Sequence, residues 1–211
     1  MNNNRIDLLF STPLYVNNIV CSKNELEYIK SIEYIRSGPD KNIANGYCSN
    51  NIFLLNVPEL SPLKKNIELH VSYFLHEQLC FTKEINFNIT NSWAIKHDKG
   101  DYAQPHQHIN SLYSGIVYLQ VDDNSGNIIF SNKFKSPLYP PEISIDIDSF
   151  NILNCSTWTI TPKNNDIFIF PSHLTHRVTP SRSDQLRYAI SFNIFPSGIF
   201  KKNSISELRL L

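Results

Sequence analysis

Apolar positions along the chain follow two different periods, and the change falls near residue 85. Before it, Leu26, Ile29, Ile32 and Ile35 recur at helical spacing. They follow Ser22-Lys23-Asn24-Glu25, which has the Ser-x-x-Glu form of a capping box, and Gly38-Pro39 stops the run. A second stripe, Leu63, Ile67, Val71, Phe74 and Leu75, runs toward Leu79 behind Ser61-Pro62, an N-cap with proline at the first helical position. Ahead of both helices, residues 8–16 read as a short strand that Pro13 confines to an edge or breaks, and residues 42–51 read as loop. After residue 85 the period drops to about two, and the pattern predicts strands at 85–96, 115–121, 127–131, 143–146, 157–161, 166–170 and 187–195. Many short strands with turn residues between them make a sandwich or small barrel, and the two helices would pack on its outside. The expectation is one α+β domain, mainly β, over 1–211, with 1–84 as a helical N-terminal support and 85–200 as a jelly-roll core.

Composition narrows the function. Nineteen Lys and Arg balance nineteen Asp and Glu, so the net charge is zero and the chain lacks the basic face that nucleic acid or an anionic membrane surface demands. With 41% hydrophobic, 12% aromatic and only 18% charged residues, 211 residues describe a folded chain able to bury a core without staples. No window is apolar for long enough to span a bilayer, and no leader or lipidation motif is visible, so a cytoplasmic protein is expected. Cys21, Cys48, Cys80 and Cys155 form no C-x-x-C pair and read as reduced and structural.

The histidines carry the first chemical signal. His70 and His76 fall on the second predicted helix, whereas His97, His106, His108, His173 and His176 fall in the strand-rich half. In Gln104-Pro105-His106-Gln107-His108 an extended backbone sends residues i and i+2 to one face, which makes a metal half-site of two imidazoles, or else two hydrogen-bonded polar residues at the end of an edge strand. The apolar run Phe168-Ile169-Phe170 enters a Pro171-Ser172 turn, and His176, at the start of the following strand, is better placed as a third ligand than His173 within the turn. Alternation along Arg187-Tyr188-Ala189-Ile190-Ser191-Phe192-Asn193 puts Arg187, Ala189, Ser191 and Asn193 on one face and the apolar residues on the other. An inward Arg pairs with an anion, either an internal carboxylate or the carboxylate of a ligand that its planar fork grips.

Taken in order, these segments resemble the Fe(II)/2-oxoglutarate-dependent dioxygenases with a double-stranded β-helix, and most specifically a family of 2OG-Fe(II) oxygenases of marine bacteria and their viruses. The features that carry the likeness are Leu9-Phe10-Ser11-Thr12-Pro13-Leu14-Tyr15, Asn91-Ser92-Trp93-Ala94, Pro105-His106-Gln107-His108 leading to the run 112–119, the turn 170–176, and 187–193. The resemblance implies a cupin-like jelly roll with iron held by His106 and His176, and 2-oxoglutarate as cosubstrate held by Arg187 with help from Ser191. It further implies hydroxylation of a protein side chain, peptide or small metabolite with release of succinate and CO2. Dioxygen and that unidentified substrate are the implied partners, with no nucleic acid and no membrane, and a homodimer is compatible. If the source is viral, the location becomes the host cytoplasm.

Two departures matter. The superfamily places an Asp or Glu two residues after the first His, where this chain has His108, so either the site is three-histidine or Asp98 or Asp101 reaches in from the preceding loop. The Ser that often follows the Arg by two residues is here Ala189. Trp93, Tyr113, Tyr118, Phe170 and Asn193 are candidate shell residues around the substrate, and the loops 132–143 and 45–56 are candidate rims. The rival readings are a cupin-like three-histidine metalloprotein that does not use 2-oxoglutarate, and a non-enzymatic jelly-roll binding or virion-associated module.

Overall fold

The computed structural model describes residues 5–36, 46–132 and 145–210. Among the described residues, twelve strands and two α-helices follow one another as β1 (Tyr15–Asn18), α1 (Lys23–Ser31), β2 (Tyr34–Arg36), β3 (Tyr47–Ser49), α2 (Ser61–Ser72), β4 (Asn86–His97), β5 (Ala103–His106), β6 (Tyr113–Gln120), β7 (Ile128–Ser131), β8 (Thr157–Ile160), β9 (Asp166–Pro171), β10 (Thr175–Val178), β11 (Arg187–Phe200) and β12 (Leu208–Leu210). They form an eight-stranded sheet ordered β1-β9-β6-β11-β4-β3-β2, with β12 on the end of β11, and a four-stranded sheet ordered β5-β10-β7-β8.

Alternation along the central strands decides which core each side chain joins. Tyr188, Ile190, Phe192 and Ile194 of β11, with Val117, Leu119, Ile167 and Ile169 beside them, face Ile29 of α1 and Leu63, Ile67 and Val71 of α2. Ala189, Ile116, Tyr118, Phe168 and Phe170 face the other way and meet Ile128 and Phe130 between the two sheets. The helices thus shield one face of the large sheet, while its other face and the small sheet enclose the interior that holds the site. Gly115 makes the approach of β6 to β11 possible, because a Cβ there would lie 2.2 Å from the Phe192 ring.

The helix starts follow the sequence pattern. Ser22 accepts from the Glu25 amide at 3.2 Å while the Glu25 carboxylate accepts from the Ser22 amide at 2.7 Å. The buried Glu25 also accepts from the Leu63 amide at 2.8 Å, tying the start of α2 to α1. Several expected boundaries differ. α1 stops at Ser31 because the next residues find ladder partners: Tyr34 to Arg36 pair with Tyr47 to Ser49, so Ile35 is a strand residue and part of the expected 42–51 loop is a strand. The first strand begins at Tyr15, after Pro13, whose missing amide proton removes it from any ladder. α2 continues through a π-helical turn, Tyr73–Gln78. The first 84 residues therefore supply three sheet strands as well as both helices. The strand expected at 143–146 lies partly outside the described residues, and Ile145 and Asp146 belong to no strand. Of the two expected rims, 133–143 lies outside the described residues, whereas the other packs into the body: Phe53 bridges to Ser92, and Leu54 and Leu55 are buried.

Candidate metal centre

The sites of His106 and His176 are fixed by strand pairing. Among the described residues β5 is an edge strand that pairs with β10 alone, and its last residue, His106, stands opposite His176, with ring centroids 4.3 Å apart. His108 lies just past the end of β5, so its position does not follow from the strand period alone; its backbone amide donates to the Ser172 carbonyl at 3.0 Å, which pins it to the β9–β10 turn. Its ring then stacks on His106 at 5.4 Å and tilts on His176 at 5.2 Å. One nitrogen from each of the three rings lies within 4.8 Å of the others, a grouping that fits a single metal ion. His173 is an exposed turn residue outside the group.

Each ring also has its Nδ1 occupied by an oxygen. His106 Nδ1 meets the Gln104 carbonyl at 2.7 Å, His176 Nδ1 the Leu174 carbonyl at 2.9 Å, and His108 Nδ1 the Asn193 side-chain oxygen at 2.6 Å. An oxygen acceptor on Nδ1 puts the proton there and leaves the Nε2 lone pair for a metal. Burial favours the neutral form of the His108 and His176 rings. Desolvation, then the neighbouring His106, pushes His176 down to about 3, and the same two causes lower His108 against the opposing Asn193 hydrogen bond.

Neither carboxylate alternative takes part. Asp101 is buried and committed, accepting from Arg36 at 2.8 Å and from the Asp98 amide at 2.9 Å. Asp98 accepts from the Lys99 amide, and among the described residues no carboxylate joins the three histidines.

Arg187 lies at the far end of the same inward face of β11, 1% exposed. Its guanidinium sits 5.0 Å from the Tyr118 ring centroid, and one nitrogen donates to the carbonyls of Ser125 and Gly126 at 3.1 and 3.3 Å. The Tyr118 hydroxyl is buried against the guanidinium, and among the described residues neither it nor Arg187 Nε has a further hydrogen-bond partner and no carboxylate pairs with the guanidinium. Burial pulls the guanidinium pKa down and pushes Tyr118 up to about 12, opposed by the adjacent guanidinium. A buried cation that no described carboxylate neutralises suits an external anion. Ala189 and Ser191 lie between Arg187 and Asn193 on that face, and Phe170 packs on His176 at 4.8 Å, so the wall between the two polar ends is largely apolar.

The site opens into a cavity of about 580 Å³ bordered by Trp93, Asn91, Thr90, His106, Gln107, His108, Ile109, Asn110 and Asn193. Trp93 tilts over His108 at 5.7 Å. Tyr113 is the expected shell residue that the fold sends elsewhere: its position on β6 points it at the helices, where it packs edge-on against Phe74 at 5.8 Å. Tyr118 is interior, beside Arg187 instead of at the cavity. The spacing of the sequence also gave no sign of the loop 122–126 that holds Arg187, because its contribution is backbone carbonyls.

Residues 91–193, just under half the chain, match the model of the family described as "Putative 2OG-Fe(II) oxygenase". The fold is the double-stranded β-helix of such oxygenases. The matched stretch contains all three clustered histidines and Arg187. Among solved structures, the chain is similar to the non-heme alpha ketoglutarate dependent epimerase SnoN from nogalamycin biosynthesis, with TM-score 0.60 and 12% identity over 92% of this chain and 83% of that one. It is similar to HygX from Streptomyces hygroscopicus, with nickel, 2-oxoglutarate and hygromycin B bound, at TM-score 0.56 and 10% identity over 87% and 82% of the two chains. It also resembles a prolyl hydroxylase from Trichoplax adhaerens in complex with a hypoxia inducible factor oxygen degradation domain peptide fragment, at TM-score 0.56 and 15% identity over 89% and 85%. No curated protein sequence matches the chain. Among the described residues, no helix of this oxygenase fold is long and apolar enough to cross a membrane.

Proposed function

We propose that the chain is an Fe(II)- and 2-oxoglutarate-dependent oxygenase that hydroxylates a protein side chain, peptide or small metabolite. The observation that carries this reading is the convergence of three imidazoles whose Nδ1 atoms are all occupied by oxygen acceptors, on the same barrel interior as a buried arginine that has no carboxylate partner among the described residues. His106, His108 and His176 would hold the metal through Nε2. When bound, Fe(II) with 2-oxoglutarate and dioxygen supplies oxidising chemistry that no side chain has, giving succinate, CO2 and a hydroxylated substrate.

The chain's own residues bind, orient and exclude. Arg187 would neutralise the far carboxylate of 2-oxoglutarate, and Tyr118, with its hydroxyl buried beside the guanidinium, would donate the second contact that Ala189 lacks. Ser191 lies on the same face and would line the cosubstrate's path. Ile116, Phe168 and Phe170 keep water from the interior. The substrate would enter the cavity beside Trp93. The bound nickel and 2-oxoglutarate of HygX and the hydroxylase activity named for the Trichoplax protein support the assignment by likeness of fold.

One observation favours a second reading, a three-histidine metalloprotein without 2-oxoglutarate. Arg187 already bonds two carbonyls of the loop 122–126, which is a structural task. An anaerobic titration of metal-free protein with Fe(II), then 2-oxoglutarate, separates the two: a visible charge-transfer band from the chelated 2-oxo acid supports the oxygenase, and iron binding without the band supports its rival.

A further inference from the structure

Of the three acceptors on the histidine Nδ1 atoms, two are backbone carbonyls that no substitution removes, and the third is a side chain. Asn193 is 7% exposed on the inward face of β11. Its Oδ1 meets His108 Nδ1 at 2.6 Å and accepts from Ser114 Oγ at 2.9 Å. Behind it stands a row of hydroxyls in contact: Ser114 Oγ is 2.8 Å from Ser172 Oγ, Ser172 Oγ is 2.8 Å from Ser111 Oγ, and Ser111 Oγ is 2.6 Å from the Tyr113 carbonyl. Ser172 also accepts the His108 amide proton through its carbonyl. The ring and the backbone of His108 are thus held by one buried network spanning β6, the β9–β10 turn and β11.

We propose that Asn193 is the positioning residue that makes His108 a metal ligand, by fixing the proton on Nδ1 and leaving the Nε2 lone pair toward His106 and His176. The proposal rests on the metal-site reading above and assigns Asn193 to the metal centre instead of to substrate. The chemistry follows from what each side chain carries. A carboxylate in the position of His108 would need no tautomer, since both of its oxygens are acceptors; an imidazole has one donor and one acceptor nitrogen, and a misplaced proton blocks the ligand outright. A neutral amide oxygen orients the ring without adding charge, whereas an aspartate there would make the ring a stronger donor to the metal. Ser114 holds the amide with its oxygen toward His108 by donating to that same oxygen.

The test uses the full chain in two variants, Asn193→Leu and Asn193→Asp, with Co(II) alone as the probe and nitrogen-15 resonances of the histidine rings in the metal-free protein as a second readout. Wild type should show His108 protonated on Nδ1. Asn193→Leu should lose that tautomer preference and bind Co(II) about 10- to 100-fold more weakly. Asn193→Asp should restore both, with Co(II) bound at least as tightly as by wild type. Wild-type affinity and an unchanged His108 tautomer in folded Asn193→Leu overturn the proposal. If Asn193→Leu does not fold, the Asp variant decides alone, since weaker Co(II) binding than wild type overturns the proposal and equal or tighter binding supports it. Failure of the oxygenase reading shows differently, as wild-type protein that binds Co(II) but gives no response to 2-oxoglutarate, and failure of the metal site itself shows as no Co(II) binding by wild type while the ring tautomer still reports on Asn193.

Discussion

His176 and His106 stand opposite one another across β10 and β5, their ring centroids 4.3 Å apart although seventy residues separate them along the chain. Pairing of an edge strand with its neighbour is therefore what assembles the candidate metal centre, and His108 joins it from just beyond the strand end. Replacing His176 or His108 by Ala should lower Fe(II) or Co(II) affinity by well over an order of magnitude, whereas His108→Asp should retain binding because a carboxylate oxygen can take the place of the imidazole nitrogen as a ligand. Anaerobic titration followed by calorimetry or visible absorption reads both. Undiminished affinity in His108→Ala would remove His108 from the ligand set.

Arg187→Ala should leave metal affinity nearly intact and weaken 2-oxoglutarate by about 10- to 100-fold, the range of a lost charge-assisted hydrogen bond. Tyr118→Phe should have a smaller effect of the same kind, because it removes only the hydroxyl beside the guanidinium. Equal loss of metal and 2-oxoglutarate in Arg187→Ala would give that arginine a structural role instead.

Gly126 couples the loop to Arg187. Its φ is +90°, and a Cβ there would lie 2.4 Å from the Thr179 carbonyl oxygen, so Gly126→Ala is strained in both conformation and space. A loss of about 1–3 kcal/mol in urea unfolding is expected. Because the Gly126 carbonyl accepts from Arg187, 2-oxoglutarate should bind more weakly as well, with Co(II) affinity unchanged.

The metal-free protein should lose stability as the pH falls. His176 is held neutral down to about 3 when folded, while the unfolded chain takes up a proton near the ordinary 6.5. Between those values the unfolded state binds more protons, so stability is full above about 6.5, declines as pH drops through that window, and stops declining from this source near 3. Thermal unfolding of metal-free protein between pH 7.5 and 4.5 measures the slope, and His176→Asn should flatten it. An unchanged slope in that variant would place the titration elsewhere.

The amino-acid sequence by itself determined the local and alternating features. The Ser22–Glu25 capping box, the inward set Arg187, Ala189, Ser191 and Asn193, and the placement of His176 on a strand with His173 in the turn before it depend on backbone periodicity and on which residues cap, turn or alternate, and these are set by near neighbours. Tertiary structure decided what depends on partners distant in sequence. The 34–36 segment became a strand because 47–49 offered a ladder, Tyr113 went to the helix side because β6 lies where the helices cover it, and Asp101 was taken by Arg36. Asn193 reached His108, eighty-five positions away, only because β11 runs beside β6 at that register, which puts one amide oxygen within reach of both His108 and Ser114. Hydrogen bonds act over about three ångströms, so a one-dimensional pattern names the donors and acceptors, and the packing of strands selects which of them meet.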